Sequence, residues 1–272
     1  MRAVLRRYVV VLFVVLSYAW TWSVQGPAAL AVHGVGSVTR SAGSLTLAGF
    51  APSVVALVLI GSIEGRAGLA DVWSRLRHGW VSPWWYVGAI GAPLIGTGLT
   101  VAVLPVLGVP VPGFQAWYTP LVTVAFLIPL TGFFEEVGWR GLMLDRLQER
   151  LSPLVATMLV ATAWGLWHLP MYARQMSEGA RTPILFAWFV VGTFPLSVIF
   201  TWLYNRTGRR LLPVIVLHAS IDAGASYFYG PFPTGELRPF YLWVLLLLLV
   251  AALLLHREGA ALGAPVARLR DA

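Results

Sequence analysis

The sequence contains no cysteine and no lysine, and it has few charged residues of any kind. Without cysteine, disulfide bonds, a thiol nucleophile and thiolate metal sites are all excluded. Charged residues make up only 11% of the 272 residues, against about 25% in an ordinary soluble domain. A soluble globular domain is therefore a poor interpretation of this chain.

Apolar residues are abundant instead. They account for 58% of the sequence, and the mean hydropathy is +0.76. Several apolar runs reach about 20 residues, the length at which a helix crosses a bilayer. We therefore predict an all-α, polytopic membrane helix bundle, with one transmembrane domain over residues 1–272. The runs predict about eight helices, at 8–22, 47–63, 83–107, 118–134 with a polar extension, 153–172, 183–204, 211–229 and 239–256.

The arginines are distributed unevenly between the two sides that eight spans define. All 19 basic residues are arginine, and only Arg40, Arg174, Arg181 and Arg238 fall on the side opposite the termini. The positive-inside rule then predicts that both termini are cytoplasmic. This topology accounts for the net charge of +8, so no nucleic acid partner is expected. Asn205, Arg209 and Arg210 are expected to anchor the cytoplasmic side, with membrane lipid head groups as their partners.

The exclusive use of arginine in place of lysine is typical of GC-rich bacterial genomes. We therefore expect a multi-pass protein of a bacterial inner membrane. The first apolar run has an alternative interpretation, a cleaved secretory signal. Arg6 and Arg7 precede it, and the sequence at 29–31 resembles a cleavage site.

Two adjacent carboxylates, Glu135 and Glu136, interrupt a long apolar run. An ionised side chain inside a membrane segment costs several kcal/mol, which makes such a pair a functional-site candidate. Adjacent residues on a helix diverge by about 100°, so the two roles should differ. Arg140 lies four residues after Glu136 and is placed to pair with it. Glu135 is then left to act as a base toward a water molecule.

Two histidines lie in separate apolar helices that are expected to meet this pair. If the chain turns near residues 151–153, Glu135 and His168 both lie about 25 Å from the turn, at ~1.5 Å per residue. His218 enters from another helix, and Asp222 follows it by four residues, placed to orient its imidazole. Taken singly, the histidines and the Glu136–Arg140 pair are typical of structural buried polar groups. Together, at compatible depth, they predict one site.

These residues resemble the motifs of the CPBP family of membrane proteins, which includes the type II CAAX prenyl endopeptidases and bacteriocin-processing or immunity proteins. The family's Glu-Glu-x-x-x-Arg segment is intact at 135–140. Its Phe-x-x-x-His segment is present with Trp164 in place of phenylalanine and His168 in register. Its third segment has His218, with Asp222 where asparagine is common. The resemblance covers about residues 118–229.

The resemblance implies an intramembrane endopeptidase that hydrolyses a peptide bond in a hydrophobic or lipidated membrane-associated peptide or protein. Glu135 would activate water, His168 would assist, and His218 with Asp222 would stabilise the oxyanion. An ionised Asp222 would repel an oxyanion, so it must be protonated, paired with His218 or turned toward a cation.

Two alternatives stay open. A zinc enzyme would use Glu135, His168 and His218 as ligands with one open position. Because no His-Glu-x-x-His spacing exists and the histidines come from different helices, a glutamate-dependent mechanism without a cofactor is favoured. The other alternative is a non-catalytic bacteriocin-immunity or scaffold protein of the same family. A transporter that relays protons is a weaker interpretation, because the charged residues form one cluster rather than a path across the membrane.

Overall fold

The fold is a bundle of apolar helices. The computed structural model describes residues 2–31, 47–77, 81–177, 182–233 and 235–265. Within these ranges there is no strand, and eight spans are long and apolar enough to cross a membrane, which confirms the predicted fold class. They are α1 (Val9–Ala31), α2 (Ala51–Arg77), α3 (Pro83–Leu107), α4 (Thr119–Leu147), α5 (Pro153–Met176), α6 (Pro183–Arg206), α7 (Leu211–Tyr229) and α8 (Arg238–Ala261).

Helix starts follow local sequence signals. Proline occupies the first turn of α3, α5 and α6, where its missing N–H would have no intrahelical acceptor. Ser152 and Thr182 cap α5 and α6, because their side-chain oxygens accept hydrogen bonds from the backbone N–H groups of Val155 and Leu185. The predicted boundaries of α7 match the observed ones, Leu211–Tyr229. The four arginines predicted opposite the termini include Arg40 and Arg181, which lie outside the described residues.

Several spans are longer or less regular than predicted. A short helix, Arg2–Arg7, precedes α1. α2 continues past a kink at Gly65, which has a φ of 67°. Glycine adopts this backbone conformation without steric cost because it has no Cβ atom. α3 consists of the α-helix Pro83–Ala102 and a 3-10 turn at Leu104–Leu107, and α5 is divided into Pro153–Trp167 and Leu169–Ser177. α8 is the α-helix Arg238–Glu258 followed by a 3-10 turn at Gly259–Ala261.

The motif helix α4 is the most irregular. It alternates α segments at Thr119–Leu127, Phe134–Gly138 and Asp145–Leu147 with π segments at Ile128–Phe133 and Trp139–Leu144. π segments are rare and occur frequently at functional sites. The two adjacent carboxylates lie in the short central α segment, between the two widened turns.

Two glycines let α4 approach its neighbours closely. A Cβ atom on Gly132 would lie 2.5 Å from the carbonyl oxygen of Ile215 in α7. A Cβ atom on Gly138 would lie 2.6 Å from the carbonyl oxygen of Pro52 in α2. No side chain fits at either position, so the segment that carries the carboxylates is held between α2 and α7.

The remaining helices enclose this arrangement. α7 packs against α3 and α4, and α6 packs between α5 and α8. α1 joins the core through Phe13, which is fully buried with its ring centroid 5.1 Å from that of Trp139. Tyr18 donates a hydrogen bond to the carbonyl oxygen of Ala163 at 2.5 Å. α1 is therefore part of the core that surrounds the motif helix.

A network of charged side chains connects the end of α2, the end of α4 and the turn between α6 and α7. Arg75 of α2 pairs with Asp71 and lies 3.5 Å from Asp145 of α4. Arg209, in the turn between α6 and α7, forms an ion pair with the same Asp145. The arginine at this turn was expected to contact lipid head groups, but here its partner is a carboxylate of the protein.

Candidate active site

The two adjacent carboxylates point to different surroundings, as their helical spacing predicted. Oε2 of Glu135 accepts a hydrogen bond from the indole Nε1–H of Trp164 at 2.7 Å. Oε1 of Glu136 accepts one from Arg140 and one from Nδ1 of His218, each at 2.7 Å. Glu135 keeps 8% of its surface exposed, whereas Glu136 is completely buried. Glu135 is therefore the carboxylate with access to a small molecule such as water.

The predicted pair between Glu136 and Arg140 is present and wholly buried. The Arg140 guanidinium lies 4.1 Å from the ring centroid of Phe200 and 4.8 Å from that of Trp164. One of its nitrogens is 3.4 Å from Oγ of Ser197. Two aromatic faces and one carboxylate thus replace the water that the cation loses on burial.

His218 lies between two carboxylates. Its Nδ1 faces Glu136 at 2.7 Å, and its Nε2 is 3.7 Å from Oδ2 of Asp222, whose side chain is 38% exposed. A carboxylate oxygen therefore faces each ring nitrogen of His218. Of the three arrangements that sequence reasoning allowed for Asp222, the structure has the pairing with His218.

His168 is oriented by its own helix. Its Nδ1 lies 2.8 Å from the backbone oxygen of Trp164, one turn earlier. Because a carbonyl oxygen can only accept, Nδ1 carries the proton, and in the neutral ring Nε2 is the free acceptor. The rings of Trp167 and Phe189 pack against it, with centroids 4.8 Å and 4.9 Å away. His168 is thus a fixed ring with one available basic nitrogen.

The residue at the centre of the arrangement is Trp164, which the sequence marks only as the aromatic residue of the second motif. Its ring centroid is 5.9 Å from that of His168 and 5.6 Å from that of His218. Among the described residues, Glu135 hydrogen-bonds to this indole and to neither histidine. Glu135 and the imidazoles of His168 and His218 therefore surround one tryptophan. Its four-residue spacing from His168 was the available signal.

The three residues of the zinc alternative, Glu135, His168 and His218, are not gathered into one set of ligands in this arrangement. Within the described ranges, no group of three or more histidine, aspartate or glutamate side chains is placed to hold a metal ion. The Nδ1 atoms of His168 and His218 are engaged by a backbone oxygen and by Glu136, so Nε2 of each ring is the nitrogen that would face a ligand. No step of the mechanism below is therefore assigned to a metal.

Part of the chain is similar in sequence to known proteins. Residues 117–224 match the model of the family described as type II CAAX prenyl endopeptidase Rce1-like. A protein from Methanococcus maripaludis named CAAX prenyl protease 2 is 32% identical over 114 residues. That alignment covers 40% of this chain and 42% of the relative, so it spans about two fifths of the relative's length. The matched region contains all six predicted site residues, and in this region the chain is similar to the type II CAAX prenyl endopeptidases.

Proposed function

We propose that this protein is an intramembrane endopeptidase that hydrolyses a peptide bond in a hydrophobic or lipidated membrane-associated peptide or protein. The observation that carries the proposal is the group formed by Glu135, His168 and His218 around one buried indole. It lies inside the region that matches a family of prenyl endopeptidases. We place the protein in a cell membrane, with its substrate reached from the cytoplasmic side.

In the proposed mechanism, Glu135 acts as the general base. It takes a proton from a water molecule while the water oxygen attacks the carbonyl carbon of the scissile bond. The carbonyl oxygen gains the negative charge, and the protonated His218 stabilises it. The tetrahedral intermediate then collapses, the C–N bond breaks, and Glu135 returns its proton to the leaving amine. His168 assists by accepting a hydrogen bond from the water at Nε2.

The other polar residues support these roles. Glu136 and Arg140 hold each other in a fully buried pair, and Glu136 also fixes Nδ1 of His218. Asp222 keeps the same imidazole protonated from its other side. The proposed substrate is apolar or lipidated because such a chain partitions into the bilayer, where this site lies. The relative's name refers to prenyl proteins, which makes a prenylated C-terminal peptide the first substrate to test.

The test uses purified protein in liposomes and three quenched fluorescent peptides: a farnesylated C-terminal peptide, its unmodified counterpart, and an apolar transmembrane peptide. Each is assayed with the wild type, Glu135→Gln and Glu149→Gln, with and without a zinc chelator. Glu149 is the matched control, because its side chain is 49% exposed on the same helical hairpin.

We expect the wild type and Glu149→Gln to cleave the lipidated or apolar peptide, with or without chelator, and Glu135→Gln to cleave none. Loss of wild-type activity on chelation would overturn the metal-free mechanism. Absence of cleavage by the wild type on all three peptides would overturn the protease proposal and favour the immunity or scaffold alternative.

A further inference from the structure

Trp164 occupies the position at which the family motif has phenylalanine, and it carries a polar group that phenylalanine lacks. Its Nε1–H donates a hydrogen bond to Oε2 of Glu135 at 2.7 Å. The indole is 5% exposed, so water does not compete effectively for this donor. A buried hydrogen bond from a fixed donor to a carboxylate is short and directional.

The indole is itself held from several sides. The Arg140 guanidinium lies 4.8 Å from its ring centroid, and the Phe200 ring packs against it at 5.9 Å. Its backbone oxygen accepts the hydrogen bond that orients His168. One residue therefore fixes the orientation of both the proposed base and the proposed assisting imidazole.

We propose that Trp164 is a positioning residue for the Glu135 carboxylate. Its N–H occupies Oε2 and thereby directs Oε1 toward the water molecule. Among the described residues, Oε2 is the Glu135 oxygen that takes part in a protein hydrogen bond. This inference rests on the proposed function for its effect on rate, but the hydrogen bond itself is testable without any activity.

The chain provides matched controls for an indole-to-phenyl change. Trp139 is fully buried beside the site, and its Nε1 has no hydrogen-bond partner among the described residues. Trp167 donates its Nε1–H to Thr21 at 3.0 Å, away from the carboxylate. Trp139→Phe and Trp167→Phe thus remove the same atoms from the same core without removing a hydrogen bond to Glu135.

The first experiment compares kcat and KM of the three phenylalanine variants on the lipidated peptide that the wild type cleaves. Trp164→Phe is expected to lower kcat about 10-fold or more, because a misplaced base loses its near-attack geometry, and to change KM less than about twofold. Trp139→Phe is expected to keep kcat within about twofold. Equal kcat values for Trp164→Phe and Trp139→Phe would overturn the inference.

The second experiment needs neither substrate nor turnover. The protein is labelled with 15N at its 13 tryptophan indoles, and its NMR spectrum is recorded. The Trp164 signal is the indole signal that is absent from the spectra of both Trp164→Phe and Trp164→Tyr. Glu135→Gln replaces a charged acceptor by a neutral one, so it should move the Trp164 resonance more than any other indole resonance. An unmoved resonance would overturn the inference and leave the proposed function standing. Normal cleavage by Glu135→Gln would instead overturn the proposed function.

Discussion

The buried pair between Glu136 and Arg140 predicts a large and specific effect on stability. Glu136→Gln keeps the shape of the side chain and one oxygen for His218, but it removes the negative charge. Arg140 is completely buried, so it would then be a cation in the core without its paired carboxylate, beside the Ser197 hydroxyl and the faces of Phe200 and Trp164. Those faces already contribute in the wild type, so they offer no new compensation.

Breaking such a pair by removing one partner costs about 3–5 kcal/mol, because the remaining charge stays desolvated. We expect the free energy of unfolding to fall by about that amount in Glu136→Gln. Removing both charges, in Glu136→Gln with Arg140→Met, should recover most of the stability, since two apolar or neutral groups need no counter-charge.

The assay is reversible unfolding by SDS titration in mixed micelles, and the control is Glu149→Gln. Glu149 pairs with Arg146 at 2.6 Å on a partly exposed surface, where such a pair contributes less than about 1 kcal/mol. If Glu136→Gln unfolds with the same free energy as Glu149→Gln, or if the double variant is less stable than either single variant, the argument from charge burial is refuted.

Three further predictions concern packing, the third motif and topology. Gly138→Ala should destabilise the protein by about 1–3 kcal/mol in the same titration, because its Cβ would lie 2.6 Å from a backbone oxygen of α2. Gly141→Ala, whose Cβ would have a leucine side chain as its nearest neighbour at 3.4 Å, should cost less. Asp222→Asn should keep kcat within about fivefold, because an amide keeps a polar oxygen near Nε2 of His218, which lies 3.7 Å from Oδ2 in the wild type, whereas Asp222→Ala should lower it about 10-fold or more. Because the chain has no native cysteine, Glu149→Cys and Ala116→Cys can be labelled singly in intact cells by an impermeant thiol reagent. Only Ala116→Cys should react, and the opposite pattern would contradict cytoplasmic termini.

Much of the fold follows from the sequence because membrane insertion imposes simple rules. Apolar runs of sufficient length predicted the eight spans, and prolines mark several of their starts. The pair between Glu136 and Arg140 followed from their four-residue spacing. The hairpin of α4 and α5 brings Glu135 to Trp164, one helical turn before His168, the residue that counting from the turn places level with Glu135.

The details of the site did not follow from the sequence, for identifiable physical reasons. The π segments of α4 change the direction of every later side chain, and hydropathy does not distinguish π from α turns. The hydrogen bond between His218 and Glu136 is therefore a feature that helical spacing alone does not predict. The role of Trp164 was missed because an aromatic residue in an apolar helix is usually packing, and its N–H matters only once an acceptor faces it.

The most direct test of the central claim compares cleavage rates of Glu135→Gln and wild-type protein, reconstituted in the same liposomes and shown to unfold at similar SDS fractions. Loss of a general base lowers a rate by about 10²–10⁴-fold. The proposed mechanism predicts a fall of at least the lower value for Glu135→Gln and none for Glu149→Gln. A folded Glu135→Gln variant that cleaves the lipidated peptide at the wild-type rate would contradict the claim that this carboxylate activates the water.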